Sequence, residues 1–325
     1  MLLGIPVEGH VASPERPALD VEKVYQTTAV ISYRFLRVVT GEKMWKKYLP
    51  LKSSREYWSA RHYIEDFLTP YVDAALQQRD QPCSENGTDK EADSGTPSML
   101  TKIAAKESRY TRETLLSESL EILIAGTDTT AHSLSFAVGE LTLNTRVLNK
   151  ARSIVDEAWA KHGEFSLNTL KDLTYIRAIV KETLRLYSVA SGSTSLETTR
   201  PTTIEGMTLP IGTKISWSMQ AAGREPKIYP NPTEFMPERW LDGTKESPSV
   251  PMIDFGSGLH RCLGEHLAML EATMMLAQLL HNFEWELVNG RASLEKLQQN
   301  LLIYPADGMP VRLKARRRPS ENIAV

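Results

Sequence analysis

Apolar residues recur at helical spacing along most of this chain. Over 21–38 the apolar set is Val21, Val24, Val30, Ile31 and Phe35, and over 54–77 it is Trp58, Tyr63, Ile64, Phe67, Leu68, Val72 and Leu76. Both patterns predict amphipathic helices. Residues 111–143 predict one long helix, about 50 Å at ~1.5 Å per residue. Asn144 is placed to cap a helix over 145–161. Leu173, Ile176, Ile179, Val180, Leu184 and Leu186 predict another over 169–187, and Leu267, Ala268, Leu270, Met274, Met275 and Leu279 a last one over 263–281. Residues 203–219 alternate between turn signals at Glu205-Gly206 and Ile211-Gly212, which predicts short strands. Pro226, Pro230, Pro232 and Pro237 make 224–240 an irregular meander, and Phe283 through Leu313 reads as short strands and loops. Residues 1–20 read as a loop, 78–98 as a flexible surface loop and 319–325 as a disordered tail. No internal repeat is visible. The pattern is that of a mainly α protein with a minor β region.

Composition changes this picture little. A chain of 325 residues with net charge −2 is long enough for a large core and lacks the basic excess that nucleic acid requires. The tail Lys314-Ala315-Arg316-Arg317-Arg318 is basic, but short terminal runs are usually solvated. The two cysteines, Cys83 and Cys262, lie far apart and give no disulfide framework. No run approaches the roughly 18 apolar residues of a membrane span. The Lys43–Lys52 stretch carries Trp45 and Tyr48, and reads as a solvated connector or as a rim facing a membrane or a substrate entry.

Candidate chemistry concentrates in Phe255-Gly256-Ser257-Gly258-Leu259-His260-Arg261-Cys262-Leu263-Gly264. Glycines let a backbone turn tightly and approach a flat ligand. Free N–H groups at a helix start can cradle an anionic sulfur that ligates a metal. Two plainer readings stand beside this one: Cys262 as a small buried hydrophobe, or His260, Cys262 and His266 as a zinc cluster, with Cys262 and His266 spaced i, i+4 but no fourth ligand nearby.

The middle of the long helix reads Glu121-Ile122-Leu123-Ile124-Ala125-Gly126-Thr127-Asp128-Thr129-Thr130. Apolar residues on every side before Gly126 predict burial. Glycine there costs about 1 kcal/mol against alanine, and Thr and Asp are mediocre helix formers. A local penalty in a strong helix marks a candidate functional distortion; the plain alternative is a tolerant helix whose Thr hydroxyls bond back to carbonyls. Farther on, Glu182 and Arg185 share a helix face, by itself the mark of a solvated pair, and Phe235-Met236-Pro237-Glu238-Arg239-Trp240 follows in the meander.

These four motifs, in this order, resemble the cytochrome P450 superfamily, and the loop resembles its haem-binding segment, in which a Cys thiolate holds the iron. The resemblance implies a P450 fold, mainly α with a minor β-sheet region, as a single partial domain over 1–325 that starts inside the family domain and lacks its N-terminal helices and strands, including the Trp-x-x-x-Arg helix. It implies haem b, with Cys262 as the metal ligand and Phe255, Gly256, Gly258, His260, Gly264, Gly126 and Arg200 around the cofactor, His260 and Arg200 toward the propionates. Thr129 and Asp128 would deliver protons. Glu182, Arg185 and Arg239 would form a buried network under the haem. The Pro-rich turn usual after the Arg helix is replaced by Ser188–Ser195, which implies a roomier or more polar pocket, and a turn near Leu301–Tyr304 would reach into that pocket. Function by resemblance is a monooxygenase oxidising an apolar small molecule with dioxygen, using electrons from NADPH through a separate cytochrome P450 reductase. Secondary metabolism in a fungus, and the cytosolic face of the endoplasmic reticulum membrane or, without an anchor, the cytoplasm, complete the expectation. A remnant that only binds, and a haem-thiolate isomerase, are the competing functions.

Overall fold

Periodic apolar stripes become helices wherever a second stripe can cover them. The computed structural model describes residues 21–39, 43, 45, 48–80, 99–106, 110–190, 195–241, 248 and 252–316. The expectations for 1–20, for 81–98 with Cys83, for Ser191–Thr194 and for 319–325 lie outside the described residues.

The chain divides into two units, Met1–Asp128 and Thr129–Val325. In the first, α1 (Val21–Val39) and α2 (Lys52–Asp80) form as their spacing predicts, α2 running through Pro70 to take in residues 78–80 of the expected loop. A short α3 (Met99–Lys106) was not legible as a separate pattern. The first half of α4 (Arg112–Leu143) completes the unit. Ile31, Ala60, Ile64, Leu68 and Leu120 make one core, and Val72, Ala75, Leu100, Ala104 and Leu115 a second. Burial of the stretch before Gly126 is corrected: Glu121, Ala125 and Gly126 are exposed. Only the side of α4 carrying Leu116, Leu120, Leu123 and Ile124 meets the Ile64–Leu68 core.

In the second unit, the rest of α4 packs with α5 (Thr145–His162), α6 (Thr174–Tyr187) and α8 (Glu265–Asn282). Phe136, Leu141, Val147, Val155, Ile176, Ile179, Leu276 and Leu280 fill the core between them. Asn144 sits at the N-cap position of α5 but does not cap it; its amide instead donates to the Glu140 carbonyl and carboxylate. The helix expected over 169–187 starts only at Thr174. Thr169–Lys171 is a 3-10 turn, and Lys161 and His162 reach the Asp172 carboxylate just after it. After α6 come four two-stranded antiparallel pairs, which are the minor β region. Strand β1 (Ser195–Glu197) pairs β4 (Lys214–Ser216), β2 (Thr202–Ile204) pairs β3 (Met207–Leu209), β5 (Phe283–Leu287) pairs β8 (Val311–Ala315), and β6 (Leu297–Gln299) pairs β7 (Ile303–Pro305). Two four-residue helices, α7 (Met219–Ala222) and α9 (Ala292–Glu295), interrupt the loops. Gly223 after α7 is obligatory, since a Cβ there would run into the Arg185 carbonyl oxygen.

Candidate functional site

The cysteine loop is shaped by its backbone. Gly256 N–H donates to the Ile253 carbonyl at 2.7 Å, closing a turn, and Gly256 and Gly258 hold φ of 73° and 63°, where only glycine sits without strain. Cys262 N–H then donates to the Phe255 carbonyl at 2.8 Å, folding the loop onto a base that packs on the core. Gly258–His260 forms a 3-10 turn, and Arg261 leaves it with extended backbone. Helix α8 starts at Glu265. Cys262 therefore lies ahead of the helix, which corrects the helix expected from residue 263 and removes the i, i+4 geometry of a zinc pair with His266. Among the described residues no group of three His, Cys, Asp or Glu could hold a metal ion. The Arg261 guanidinium meets Glu265 in the first turn of α8 and holds that carboxyl below its ordinary range.

Cys262 is exposed, so the buried-hydrophobe reading fails. Leu259 and Leu263 beside it are 102% and 103% exposed. Leaving a leucine in water forgoes about 1.5–3 kcal/mol, so two such side chains flanking an exposed sulfur leave apolar surface that a partner could cover. A Cβ on Gly264 would stand 3.8 Å from the sulfur. His260 and Arg200 are exposed.

Behind the loop lies a buried charge network. Glu182 and Arg185 share one face of α6, and Arg239 enters from the 3-10 turn Pro237–Trp240. All three side chains are fully buried. The Glu182 carboxylate accepts from Arg185 Nε and Nη2 at 2.9 and 2.8 Å, from Arg239 Nε at 3.0 Å, and from Met236 N and Trp240 Nε1 at 2.9 Å each. Arg185 also donates to the carbonyls of Gly223, Pro232 and Glu234, and Arg239 to those of Pro230 and Asn231. The proline-rich meander, which has little regular pairing of its own, is thus tied to α6 by two guanidinium forks. Trp240 was missed as a member of this network. A buried indole N–H needs an acceptor, and its place directly after Arg239 was the available signal. Glu238 was missed too: it accepts from Arg146, Lys150 and Tyr175 and fastens the same turn to α5 and α6.

In α4 the side chain of Asp128 is buried and accepts from Thr28 Oγ1 and Ser32 Oγ of α1 at 3.2 and 3.3 Å. Thr127 bonds back to the Leu123 carbonyl, as the plain reading of this helix allows. Gly126 is different: a Cβ there would meet nothing within 4 Å. No packing in the described structure repays its helix penalty, which leaves room over that turn for something else.

A family model for cytochrome P450 matches residues 14–311. The chain belongs to the cytochrome P450 family. Two solved structures give the fold. A cytochrome P450, CYP102L1, superposes with a TM-score of 0.73 at 24% identity, over 90% of this chain and 65% of that one. The cytochrome P450DA heme domain gives 0.71 at 22%, over 91% and 61%. The P450 fold, mainly helical with small sheets, is therefore as the motif order led us to expect. Among curated proteins the chain is 26% identical to tabersonine 3-oxygenase of Catharanthus roseus, over 81% of this chain and 51% of that protein. It is 34% identical to tryptamine 5-hydroxylase of Oryza sativa subsp. japonica and to flavonoid 3'-monooxygenase of Petunia hybrida, over 53% of this chain in each case and 34% and 35% of those proteins. All three are plant proteins, and the chain spans about half of their length or less. Haem is the cofactor the family implies. The exposed sulfur, the two exposed leucines and the glycine-shaped loop fit such a group.

Proposed function

We propose that this chain is a partial cytochrome P450 domain over residues 1–325 that acts as a haem-thiolate monooxygenase on an apolar small molecule. Exposure of Cys262 between Leu259 and Leu263, on a loop anchored to a buried charge network, is the observation that carries the reading. Cys262 would hold the haem iron through its sulfur, with the exposed Leu259 and Leu263 offering apolar surface beside it. Phe255, Gly256, Gly258 and Gly264 let the backbone approach the macrocycle, and His260 and Arg200 lend charge to its propionate edge. Bound haem supplies activation of dioxygen, with thiolate ligation favouring O–O cleavage. Asp128 and Thr129 hold and pass the protons that this cleavage consumes, and Gly126 leaves the space beside them. Glu182, Arg185 and Arg239 hold the loop still.

Electrons come from NADPH through a cytochrome P450 reductase, and dioxygen and the substrate are the other reactants. The printed names of the relatives (oxygenase, hydroxylase, monooxygenase) support this reaction class and suit a place in secondary metabolism. We assign the protein to the cytosolic face of the endoplasmic reticulum membrane, while no helix among the described residues is long and apolar enough to cross a membrane.

A carbon monoxide difference spectrum of the reduced, haem-loaded protein tests the ligand: a thiolate-type Soret band in the wild type, lost in Cys262→Ser. Absence of that band in the wild type would leave a binding remnant. NADPH consumption with added reductase tests the reaction, and turnover without either would mean an isomerase. Thr129→Ala is expected to uncouple oxygen consumption from product; unchanged coupling would remove Thr129 from the proton path.

A further inference from the structure

Along α4, His132, Phe136 and Glu140 recur every fourth residue and so share one face, with Thr129 one turn ahead of them. Tyrosines from two other elements of the second unit cover this face. The His132 imidazole stacks on the Tyr304 ring of β7, with centroids 5.2 Å apart and planes 19° from parallel. The Phe136 ring stacks on Tyr187 at the end of α6, at 4.1 Å and 6°. The Tyr187 hydroxyl then donates to the Glu140 carboxylate. The segments carrying the two tyrosines are themselves joined, since Ile303 N–H donates to the Val189 carbonyl at 2.8 Å, and both of those residues are buried.

The ring on His132 is also braced within its own hairpin. Tyr304 stands opposite Gln298 in the β6–β7 ladder, and its hydroxyl accepts from Asn300 Nδ2 at 2.7 Å. Asn300 N–H donates to the Leu302 carbonyl at 3.0 Å, which closes the connection between the two strands. Tyr304 is thus held by the hairpin, and the hairpin by the end of α6. Thr129, His132 and Tyr304 are each half-buried. The face of α4 that begins at Thr129 is therefore covered one turn later by a fixed pair of rings.

We propose that His132 is a specificity-determining residue of the oxidation: its stack with Tyr304 is an end wall that limits how far an apolar substrate beside Thr129 extends toward the C-terminus of α4. This rests on the reading of the chain as a haem-thiolate monooxygenase with Thr129 beside the reacting centre. The wall needs a flat ring at position 132 and no charge, so a phenyl group there should serve as well as the imidazole.

Two measurements test it. Without cofactor, urea unfolding of the full chain reads the stack through His132→Ala, Tyr304→Ala and the double variant. The pair should be coupled about two- to tenfold in the unfolding constant, the value of one aromatic pair; additive losses overturn the contact. With haem loaded, n-alkylbenzenes of increasing chain length are the probe, read by their dissociation constants from the Soret shift and by which homologues are oxidised with added reductase. In the wild type each methylene should tighten binding about fourfold, the value of one buried CH2, up to a limiting length and no further. His132→Ala and Tyr304→Ala should each move that limit outward, so that the first homologue past it binds at least about fourfold more tightly. His132→Phe should keep the limit in place. An unmoved limit in both alanine variants, a uniform loss across the series, or a limit that His132→Phe moves as far as His132→Ala does, overturns the end wall. A coupled stack in a chain that shows no thiolate-type band after haem loading overturns the haem reading, and the end wall with it.

Discussion

Glu182→Gln isolates what the buried charge network contributes. The substitution keeps the shape and removes one negative charge from a site where two guanidiniums have no other anion within ion-pair distance among the described residues. It also puts an amide NH2 where one carboxylate oxygen had accepted two or more of five hydrogen bonds. Breaking a buried pair from one side costs about 3–5 kcal/mol, because the surviving charge stays buried without compensation. Set against a total stability of about 5–15 kcal/mol for a typical domain, that is about a fifth or more of what holds such a domain folded. At about 2–4 °C per kcal/mol for a unit of this size, the melting temperature should fall by roughly 6–20 °C.

Urea unfolding followed by circular dichroism measures the loss without any cofactor. Arg146→Gln is the control: its pair with Glu238 has the arginine 67% exposed, and exposed pairs are worth about 0–1 kcal/mol. The double variant Glu182→Gln with Arg185→Gln adds a sharper check. Removing Arg185 after Glu182 relieves part of the uncompensated charge, so its second-step cost should be at least about 1 kcal/mol smaller than its cost alone. A Glu182→Gln variant no less stable than the Arg146→Gln control, or additive costs in the double variant, would refute the claim that this network ties the meander to α6.

Gly223→Ala should destabilise by about 1–3 kcal/mol in the same urea assay, since its Cβ collides with the Arg185 backbone. Gly126→Ala has open space over its Cβ and should gain up to about 1 kcal/mol of stability while weakening haem uptake measured by Soret absorbance. Equal behaviour of the two variants would contradict the glycine geometry. Burial raises the Glu238 carboxyl, but hydrogen bonds from Arg146, its own backbone, Lys150 and Tyr175 outweigh it and bring the group down to about 2. A depressed acid stabilises above its unfolded value near 4.3 and loses that contribution as pH falls toward 2. After solvent screening this is worth about 1 kcal/mol, so Glu238→Gln should flatten the acid limb of a stability–pH curve between about pH 4.5 and 2. An unchanged limb would reject it.

The sequence was most legible where chemistry forces spacing. The glycine pair of the loop is set by local backbone geometry and stands out without a structure, whereas the Glu182–Arg185 spacing by itself reads as a solvated pair and gained meaning only from the order of the four motifs. Long helices were legible from local geometry too, since stripes such as Ile64, Leu68 and Val72 repeat at one period. What escaped depended on contacts distant in sequence. Trp240 and Glu182 are joined across 58 positions. Glu238 gathers donors from α5 and α6. The helix expected from 169 shows the reverse error. Its periodic pattern is real, but Thr169–Lys171 closes as a 3-10 turn and the α-helix starts only at Thr174.

The cysteine loop and the Glu182 network both belong to the unit Thr129–Val325. Asp128 belongs to the other, where Thr28 and Ser32 hold it. The proposed ligand Cys262 and the proposed proton carrier Asp128 therefore rest on different packing, while Thr129 opens the second unit. Losing the two hydroxyls, as in Thr28→Val with Ser32→Ala, removes two of the hydrogen bonds that the Asp128 carboxylate accepts and should disturb coupling of oxygen to product while leaving the thiolate-type band intact. Perturbing Glu182 should do the opposite in order, dissolving the band before coupling can be read. If the α1 double variant erased the band as thoroughly as Glu182→Gln, the ligand loop would depend on the first unit, and the division of labour argued from these contacts would be wrong.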